Sequence, residues 1–534
     1  MIKRMLKGFV VAFVFLLGLN AANADDINIY FGPKGGFSPV NNSRKLVFSD
    51  NISRKATLSN SIKYAFDKLE PGSTAKIAMY SMSDYGCLDA MIKAASDKNV
   101  KVLLLLDGVT SWAKESRDKI ANVIEKGAIK AKEDGKPFDF TLAAVTDKAM
   151  KRNKREATLD DGTVIYGTMH EKFGIFYAPD NPVPHSCFNG SANISVTSDQ
   201  IYGENRVFFD NQPAVARQLA EEFARLWNEY SEVVFGEWIP EKYIEASPVP
   251  GYTRIVFNSE PKNELELTRI DSELISMIGR VKPEGSLDLG MFSLTRTELA
   301  EAILLAAARN PNAKFRLLLD HAQLNDEDPK EGKLGPWLEK QAKERNISNI
   351  QVRYRFRKNA YGYDSEKKKV GLISYLSLFW HHKNLCVNNN ELAVGSYNWS
   401  NSGEFLNFEN VMFFNALYEH NQKIIDAFKA EFEHLWNSEM SKKMADGPKK
   451  GEPQTVTLAE GKALHNKMIK LLSNKNNQKV HSALDREAFK TYDELKKETK
   501  LSDKNLKKAL NNLVSANVIV KYAKKDVEGY SQAD

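Results

Sequence analysis

Apolar runs of strand length alternate with helical segments along residues 25–440. Residues 76–107 contain an apolar run, an alanine-rich segment of helical spacing, and a second apolar run that ends at Asp107. Residues 286–320 repeat this order and end at Asp320. Each stretch predicts a strand, a helix and a second strand. This alternation is typical of α/β units, in which helices flank a sheet.

Three short motifs recur in both halves of the chain in the same order: His-x-Lys, Gly-Ser-x-Asn and Glu-Asn. They occupy 170–172, 190–193 and 204–205 in the first half and 381–383, 395–398 and 409–410 in the second. The asparagine that ends the second motif precedes the glutamate by 11 positions in both halves, and each half closes on Phe-x-x-Leu-Trp-Asn. The shared order and spacing indicate an internal duplication.

Proline and glycine interrupt both periodicities near 238–262, and a polar segment rich in glycine and proline follows at 445–455. These breaks predict a first lobe over 25–240, a second lobe over 250–444 and a C-terminal domain over 456–534.

Residues 1–24 show the three regions of a secretory signal peptide in order. Lys3, Arg4 and Lys7 precede a short apolar run, and small residues end the segment at 22–24. The apolar run is shorter than the roughly 20 residues that a transmembrane helix needs. We therefore predict that the signal peptide is cleaved and that the chain is exported, to the periplasm or out of the cell.

Composition excludes several classes of protein. The chain has 534 residues, of which 42% are hydrophobic and 27% are charged, so it is neither disordered nor fibrous. Three cysteines are too few for a disulfide scaffold. The net charge is +6, but residues 441–534 hold 20 Lys and Arg against 12 Asp and Glu, a local net of +8. This asymmetry places any attraction to an anionic polymer or surface at the C-terminus.

The His-x-Lys spacing places both side chains on one face of a strand, because residues i and i+2 share a face. A hairpin then brings Gly-Ser-x-Asn alongside. Two such hairpins would surround one pocket with two imidazoles and two ammonium groups. This set suits cleavage of a phosphodiester: one histidine attacks phosphorus, the other protonates the leaving oxygen, and the lysines neutralise the remaining oxygens.

The candidate catalytic residues are His170, Lys172, Ser191, Asn193, Glu204, His381, Lys383, Ser396, Asn398 and Glu409. In this hypothesis the serines and asparagines offer neutral donors to the anion, and each glutamate holds a ring nitrogen of one histidine. The motifs contain neither a carboxylate pair nor a Cys/His cluster that would suit a divalent ion. We therefore expect no metal and no cofactor.

Together the paired motifs resemble the phospholipase D superfamily, including its exported bacterial members, over roughly residues 50–440. That group contains phospholipases D, cardiolipin synthases, bacterial endonucleases and tyrosyl-DNA phosphodiesterases. The resemblance implies two duplicated α/β/α lobes that share one active site and a covalent phosphohistidine intermediate, with His170 as the nucleophile and His381 as the acid. The usual motif has aspartate five residues after the lysine, where this chain has Tyr177 and Asn388. That departure concerns a supporting residue and leaves the reacting groups in place.

The C-terminal domain, 456–534, shows three helical patterns and a β-hairpin, and so resembles a winged helix. Lys504, Lys507 and Lys508 would line its third helix and contact DNA. The alternative is a structural or protein-binding winged helix.

We therefore predict an exported, monomeric phosphodiesterase. Nucleic acid is favoured as the substrate because of the basic C-terminal domain and the basic runs at 148–155 and 353–358, although such runs also occur on solvated faces. The main alternative is a phospholipase D that hydrolyses membrane phospholipids, with Leu372–Trp380 as an apolar lip rather than the core strand that we favour. A further alternative is a catalytically inactive protein that binds an anionic polymer.

Overall fold

The structure is a computed structural model of the chain. It describes residues 27–32, 58–195, 198–199, 202–243, 253–258, 269–320, 323, 334–355, 361–364, 369–372, 380–438, 441–443, 471, 473–484, 490–515, 519–524 and 527–532. The predicted signal peptide and the predicted linker at 445–455 lie outside these residues, and so do the residues 373–379 of the predicted core strand.

The first lobe is built on a mixed sheet of eight strands with the order β1-β9-β8-β7-β2-β3-β4-β10. A separate hairpin, β5–β6, precedes β7. The strands are β1 (Ile27–Phe31), β2 (Thr74–Met79), β3 (Lys101–Asp107), β4 (Phe140–Val145), β5 (Glu156–Thr158), β6 (Val164–Tyr166), β7 (Lys172–Tyr177), β8 (Ser186–Gly190), β9 (Asn205–Phe209) and β10 (Ser231–Phe235).

Helices cover both faces of this sheet. They are α1 (Leu58–Lys68), α2 (Tyr85–Asp97), α3 (Ser111–Glu133), α4 (Asp147–Arg152) and α5 (Pro213–Arg225), which continues into a π-helical turn at Leu226–Tyr230. Alternate residues of β3 point to opposite faces, as expected of a strand that is buried on both sides. Leu104 and Leu106 join an outer core with α1–α3, whereas Leu103 and Leu105 face the inner core.

The second lobe repeats this plan with the strand order β11-β19-β18-β17-β12-β13-β14-β20. Its strands are β11 (Arg254–Phe257), β12 (Ser286–Met291), β13 (Lys314–Asp320), β14 (Ile350–Arg355), β15 (Tyr361–Asp364), β16 (Lys369–Leu372), β17 (Lys383–Val387), β18 (Glu391–Gly395), β19 (Asn410–Asn415) and β20 (Ser441–Lys442). Its helices are α6 (Arg269–Gly279), α7 (Thr297–Arg309), α8 (Gly335–Glu344), α9 (Asn401–Phe405) and α10 (Glu419–Trp436).

The two sheets match strand for strand, which confirms the predicted duplication and the α/β class. In both lobes the first three strands after the edge strand run parallel, and the motif strands return antiparallel beside them. The inner core is continuous between the lobes, since Phe31 and Phe209 of the first lobe belong to the same buried cluster as Phe414 and Phe428 of the second. The lobes are therefore joined by apolar burial as well as by the site.

The structure describes the stretch Leu372–Trp380 at its two ends. Leu372 ends β16, which pairs only with β15 in a two-stranded hairpin, and Trp380 is buried directly before the His-x-Lys motif. This hairpin occupies the same place in the second lobe as β5–β6 in the first. The prediction of a core strand therefore fails at its first residue, because Leu372 pairs outside the main sheet.

Within its described residues, the C-terminal region contains three helices with stated bounds and a three-stranded antiparallel sheet of order β21-β23-β22. The elements are α11 (Lys475–Ala483), β21 (Lys490–Thr491), α12 (Tyr492–Thr499), α13 (Asp503–Ser515), β22 (Ile519–Lys524) and β23 (Val527–Gln532). Leu495, Leu506, Leu510 and Leu513 form its core. The sequence predicted α12, α13 and the hairpin but missed α11 and β21. The first of its three helical patterns, with Leu464, Met468 and Leu471, lies outside the described residues except for Leu471. The assignment as a winged helix stays a prediction.

In the part of the chain that the structure describes, no helix combines the length and the apolarity that a membrane span requires.

Candidate active site

The two His-x-Lys motifs lie at the entry to matching central strands. Lys172 begins β7 and Lys383 begins β17, so each histidine sits just beyond the end of its strand. An aspartate at the end of β3 or β13, two strands away in the sheet, holds the residue that precedes each histidine. Asp107 Oδ1 accepts a hydrogen bond from the backbone N–H of Met169 at 2.9 Å, and Asp320 Oδ2 accepts one from Trp380 at 2.9 Å.

From the sequence, Asp107 and Asp320 were recognised only as the ends of the repeated stretches. Their role in positioning the residue before each histidine was not predicted. The available signal was their shared place at the end of matching strands. Both are fully buried. Burial raises the pKa of Asp107 to about 7, although its backbone hydrogen bonds oppose the shift.

Backbone contacts between the lobes meet at the histidines. The N–H of His170 donates to the carbonyl of Phe408 at 3.0 Å, and the N–H of His381 donates to the carbonyl of Gly203 at 3.0 Å. Phe408 and Gly203 each precede the glutamate of a Glu-Asn motif. Each histidine is thereby held against the Glu-Asn segment of the opposite lobe.

The side chains follow the same exchange between lobes. His170 Nδ1 lies 2.9 Å from Glu409 Oε1 and 3.0 Å from Oε2, and His381 Nδ1 lies 2.8 Å from Glu204 Oε1. Each glutamate therefore serves the histidine of the other repeat. A carboxylate at Nδ1 fixes the tautomer and leaves Nε2 for the substrate.

Both motif lysines are buried beside the histidines. Lys383 Nζ donates to the carbonyl of His381 at 2.7 Å, and Lys172 Nζ donates to that of His170. Burial lowers the pKa of Lys172 to about 8 and that of Lys383 to about 7, against the opposing pull of the buried glutamates. A buried ammonium group beside each histidine can stabilise negative charge on a bound anionic group.

The serines of the Gly-Ser-x-Asn motifs contact the Glu-Asn segments. Ser191 Oγ accepts from the N–H of Asn205 and Ser396 Oγ accepts from the N–H of Asn410, both at 3.0 Å. Ser396 Oγ also donates to Glu409 Oε2 at 2.6 Å. These hydrogen bonds place both serine hydroxyls against the Glu-Asn segments, where they help to hold the glutamates.

The motif asparagines behave differently. The Oδ1 atoms of Asn193 and Asn398 are buried and have no hydrogen-bond partner among the described residues. A buried polar atom without a partner is costly in a finished interior. Asn205 Oδ1, Asn410 Nδ2 and Glu204 Oε2 of the Glu-Asn motifs are likewise buried with no partner among the described residues, so several polar atoms of the motifs are left for a ligand.

The two histidine–glutamate pairs differ electrostatically. Burial, with Lys172 and Lys383, holds the pKa of His170 well below its usual range. Burial also lowers the pKa of His381, but Glu204 opposes that shift. Burial alone would raise the pKa of Glu204; His381 and Lys383 outweigh it, so the pKa lies below the usual value.

Glu409 shows the opposite balance, because burial raises its pKa to about 8. His170 Nδ1, Ser396 Oγ and Asn407 Nδ2 nevertheless all lie within 3.2 Å of its oxygens. Three donors favour the carboxylate over the neutral acid. We therefore assign the shared proton to Nδ1 of His170.

An aromatic ring packs against each histidine. Tyr80 follows β2 and its ring centroid lies 4.6 Å from that of His170, whereas Phe292 follows β12 and lies 4.8 Å from His381. Neither ring was predicted from the sequence to lie in the site. Their signal was the repeated order of methionine, aromatic residue and serine after the first strand of each half.

The residues that replace the usual aspartate lie far from the chemistry. Tyr177 ends β7, roughly 16 Å along the strand from Lys172 at about 3.3 Å per residue. It is buried, and Lys76 Nζ lies 4.5 Å from its ring. Asn388 adopts φ 52° after β17, and its side chain donates to the carbonyl of Arg280 at 2.8 Å. Both positions support the far end of the sheet.

The first basic run divides between surface and interior. Lys148, Lys151, Arg152 and Lys154 are exposed. Arg155 is buried, and it donates to the carbonyls of Asn407 at 2.9 Å and Asn258 in the second lobe at 2.5 Å. The expectation that the whole run is solvated or guides substrate is therefore wrong for Arg155, because its guanidinium is used to join the lobes.

The second basic run is described only at its start. Arg353 donates to the carbonyl of Trp436 at 2.6 Å, while residues 356–358 lie outside the described part of the chain. His382, between the second motif residues, is buried with Nδ1 3.0 Å from Asn205 Nδ2.

Within the described ranges, no group of three or more His, Cys, Asp or Glu side chains is arranged to hold a metal ion. Cys87, Cys187 and Cys386 are all buried and unpaired.

Comparison with known proteins gives one family. The model of the cardiolipin synthase, phospholipase D-like domain matches twice, over residues 69–227 and 274–436. The two matches coincide with the two repeats and confirm the resemblance drawn from the motifs. A search of curated proteins finds no match.

Several solved structures are similar to this chain at low sequence identity. Phosphatidylserine synthase from Haemophilus influenzae Rd KW20 aligns with a TM-score of 0.50 and 11% identity, over 79% of this chain and 88% of that one. Polyphosphate kinase from Porphyromonas gingivalis aligns with a TM-score of 0.40 and 11% identity, over 70% of this chain and 45% of that one. Nuc from Salmonella typhimurium, a phospholipase D family member, aligns with a TM-score of 0.24 and 16% identity, over 36% and 96%.

Proposed function

The chain belongs to the cardiolipin synthase, phospholipase D-like domain family, and from this premise we propose that it hydrolyses phosphodiester bonds through a covalent phosphohistidine, with nucleic acid as its substrate. The carrying observation is the pair of histidines whose Nδ1 atoms are each held by a glutamate of the opposite lobe. Two oriented imidazoles and two buried lysines in one chain provide a nucleophile, an acid and charge neutralisation.

In the first step, His170 Nε2 attacks phosphorus and the bond from phosphorus to the leaving oxygen breaks. The leaving oxygen takes the Nε2 proton of His381, whose charged form ionised Glu204 stabilises against the effect of burial. Lys172 and Lys383 neutralise the non-bridging oxygens, whose charge increases in the transition state. His170 is the better nucleophile, because burial and the two lysines keep its ring unprotonated.

In the second step, His381 takes a proton from water, and the resulting hydroxide attacks phosphorus. The bond between phosphorus and His170 Nε2 breaks, and the free imidazole is restored. The acid of the first step is thus the base of the second, and the enzyme ends in its starting protonation state. An alcohol in place of water would give transfer instead of hydrolysis.

Charge supports nucleic acid as the substrate. Lys504, Lys507 and Lys508 are exposed on α13, in the basic C-terminal region. The exposed lysines of the first basic run add positive charge to the first lobe. Contacts of lysine with phosphates hold a nucleic acid without regard to its sequence.

Phospholipid is the second candidate. The matching family model is named for cardiolipin synthase, and the fold is shared with phosphatidylserine synthase over most of both chains. These names describe the relatives. They make a phospholipid the substrate to test against nucleic acid.

Two further properties belong to this proposal. Residues 1–24 fit a cleaved signal peptide, which supports export to the periplasm or the medium. Both motifs and both glutamates come from one chain, so the site needs no second copy and a monomer suffices.

The test incubates the mature protein, in parallel, with plasmid DNA, RNA and phospholipid vesicles, with and without EDTA. We expect cleavage of nucleic acid that survives EDTA and is lost in His170→Ala. Cleavage of vesicle lipid alone would move the substrate to phospholipid. Loss of all activity on chelation, with recovery on added metal, would contradict the two-histidine mechanism. No activity on any substrate would support the inactive binding protein.

The contribution of α13 has its own test. Replacing Lys504, Lys507 and Lys508 with glutamine should weaken binding to DNA and flatten its dependence on salt, because fewer phosphates release counterions. Hydrolysis of a small soluble diester should stay unchanged, since the reacting groups lie in the lobes. Equal affinities and equal salt slopes would remove the C-terminal region from the substrate site.

A further inference from the structure

An exposed tryptophan lies near the first histidine, with one tyrosine ring between them. Trp112 lies in the first turn of α3 and is 45% exposed. Its ring centroid lies 5.4 Å from that of Tyr80, with the planes at 82°. Tyr80 in turn packs on His170. The tryptophan is therefore one aromatic contact away from the nucleophile, with much of its surface open to solvent.

The position of Trp112 is fixed by the start of its helix. Thr110 caps α3 by accepting from the N–H of Ala113 at 3.3 Å. Ser116, one turn after Trp112, donates to the carbonyl of Met82 at 3.1 Å and ties the helix to the loop after β2. A rigidly placed aromatic face costs little entropy when a flat ligand stacks on it.

Positive charge continues from this helix onto α4. Lys114 Nζ lies 3.0 Å from Asp147 Oδ2, which joins the start of α3 to the start of α4. α4 then presents Lys148 and Lys151 to solvent. Neither of these two lysines has an ion-pair partner among the residues that the structure describes.

An exposed aromatic face and two exposed lysines, on helices that the Lys114–Asp147 ion pair joins, form a combination that can bind single-stranded nucleic acid. Bases stack on the ring, and lysines follow the phosphates. Bases within a duplex already stack on each other, so a free ring favours an unpaired strand. A lipid headgroup would use the lysines but gain nothing from stacking.

We propose that Trp112 is a base-stacking platform and that Lys148 and Lys151 contact the phosphates of a single strand crossing the first lobe. This inference rests on the proposed nuclease function and specifies its substrate: a strand with an unpaired base next to the scissile phosphate. Trp112 sets specificity, and it takes no part in bond breaking.

The test measures the affinity of the full chain for a short labelled single strand. A His170→Ala background prevents cleavage. We expect Trp112→Leu to weaken binding by about tenfold, the size of one stacked base, and Trp112→Phe to weaken it much less. An oligonucleotide with one abasic site should bind more weakly than the intact strand to the parent protein. In Trp112→Leu that difference should disappear at one position of the strand.

Matched controls separate stacking from general damage. Trp238→Leu removes another partly exposed tryptophan of the first lobe, and Lys126→Gln removes an exposed lysine of α3, roughly 21 Å along the helix from Trp112. Both should bind like the parent. Lys148→Gln with Lys151→Gln should reduce the salt slope, because two phosphate contacts are lost.

Equal binding by Trp112→Leu and its parent would overturn the platform. Weaker binding of Trp112→Leu to anionic phospholipid vesicles, with unchanged binding to the single strand, would assign the surface to lipid instead. The proposed function is tested separately with the protein in which His170 is intact. If that function is wrong, this protein will cleave neither the strand nor a small diester. The binding result would still decide the role of Trp112.

Discussion

The two lobes share one topology, yet they give their histidines different surroundings. In the first lobe, Tyr80 packs on His170, and the exposed Trp112 packs on Tyr80. In the second lobe, Phe292 packs on His381. The position between histidine and lysine is Glu171 in the first motif, where burial raises its pKa well above the usual range, and His382 in the second. The shared topology thus gives both histidines the same geometry, while different residues at matching positions make their surroundings unequal.

The two glutamates show this difference between the lobes more clearly. Glu204 and Glu409 contact their histidines at nearly equal distances, but burial prevails at Glu409 and the neighbouring cations prevail at Glu204. His381 therefore faces the carboxyl that is more readily ionised and holds a proton more easily than His170. Two groups with equal geometry take different catalytic roles because their environments shift their pKa values apart.

The largest effect should separate the two histidines. We expect His170→Ala to lose at least about 10⁴-fold in kcat, since no covalent intermediate can form. His381→Ala should lose about 10²–10⁴-fold on substrates with a poor leaving group. On a p-nitrophenyl diester, whose leaving group needs no proton, His381→Ala should accumulate a phosphoryl adduct on His170. Mass spectrometry after alkaline denaturation would locate it, and an adduct on His381 in the parent protein would reverse the two roles.

The exchange of glutamates between lobes predicts an unusual pattern of non-additivity. In a His381→Ala background, Glu204→Gln should cost nothing further, because its partner is gone. Glu409→Gln in the same background should still cost on the order of 10- to 100-fold in the rate of adduct formation, since it orients His170. Stopped-flow release of p-nitrophenol measures both. Equal effects of the two glutamines would contradict the exchanged pairing.

The lysines predict the alkaline side of the pH profile. A lysine whose pKa is lowered gives up its proton at a lower pH, and the charged form is needed at the phosphate. On a p-nitrophenyl diester, whose leaving group needs no proton from His381, activity should therefore be present below the lowered pKa and decline as pH rises through about 7, set by Lys383. Lys383→Arg should move the decline toward about 8, the value for Lys172, because guanidinium keeps its charge. Lys172→Arg should leave the decline near 7. A profile of kcat/KM against pH measures both, and a decline that does not move in Lys383→Arg would contradict the assignment.

The smallest effect should come from exchanging the aromatic rings. Tyr80→Phe and Phe292→Tyr, together or singly, conserve the ring that packs on each histidine, so kcat on a small diester should change by less than about tenfold. Replacing either ring by alanine should lower kcat further, because the imidazole then loses the ring that packs against it. A large loss in Tyr80→Phe alone would show that the tyrosine hydroxyl takes part in the chemistry and that the lobes differ more than their topology suggests.

Much of the fold and the content of the site could be predicted from the sequence. Strand and helix periods are local, so the repeat of strand, helix and strand was visible in the spacing of apolar residues. The i and i+2 relation placed His170 with Lys172, and His381 with Lys383, on shared faces. The element α11 was missed because Lys475–Ala483 is mostly polar and carries a weak apolar pattern.

The tertiary structure alone decided the partners. Glu409 is 239 residues from His170 and Glu204 is 177 residues from His381, and no local period reports contacts at such separations. Arg155 shows the same limit, since its charge predicted a solvated residue and the packing of the second lobe buried it. The sequence by itself determined which groups are present and how each hairpin orders them, because those properties depend on neighbours along the chain. Which glutamate orients which histidine, and which aromatic surface stays open, depended on how the two lobes pack, since burial and hydrogen bonding act through space.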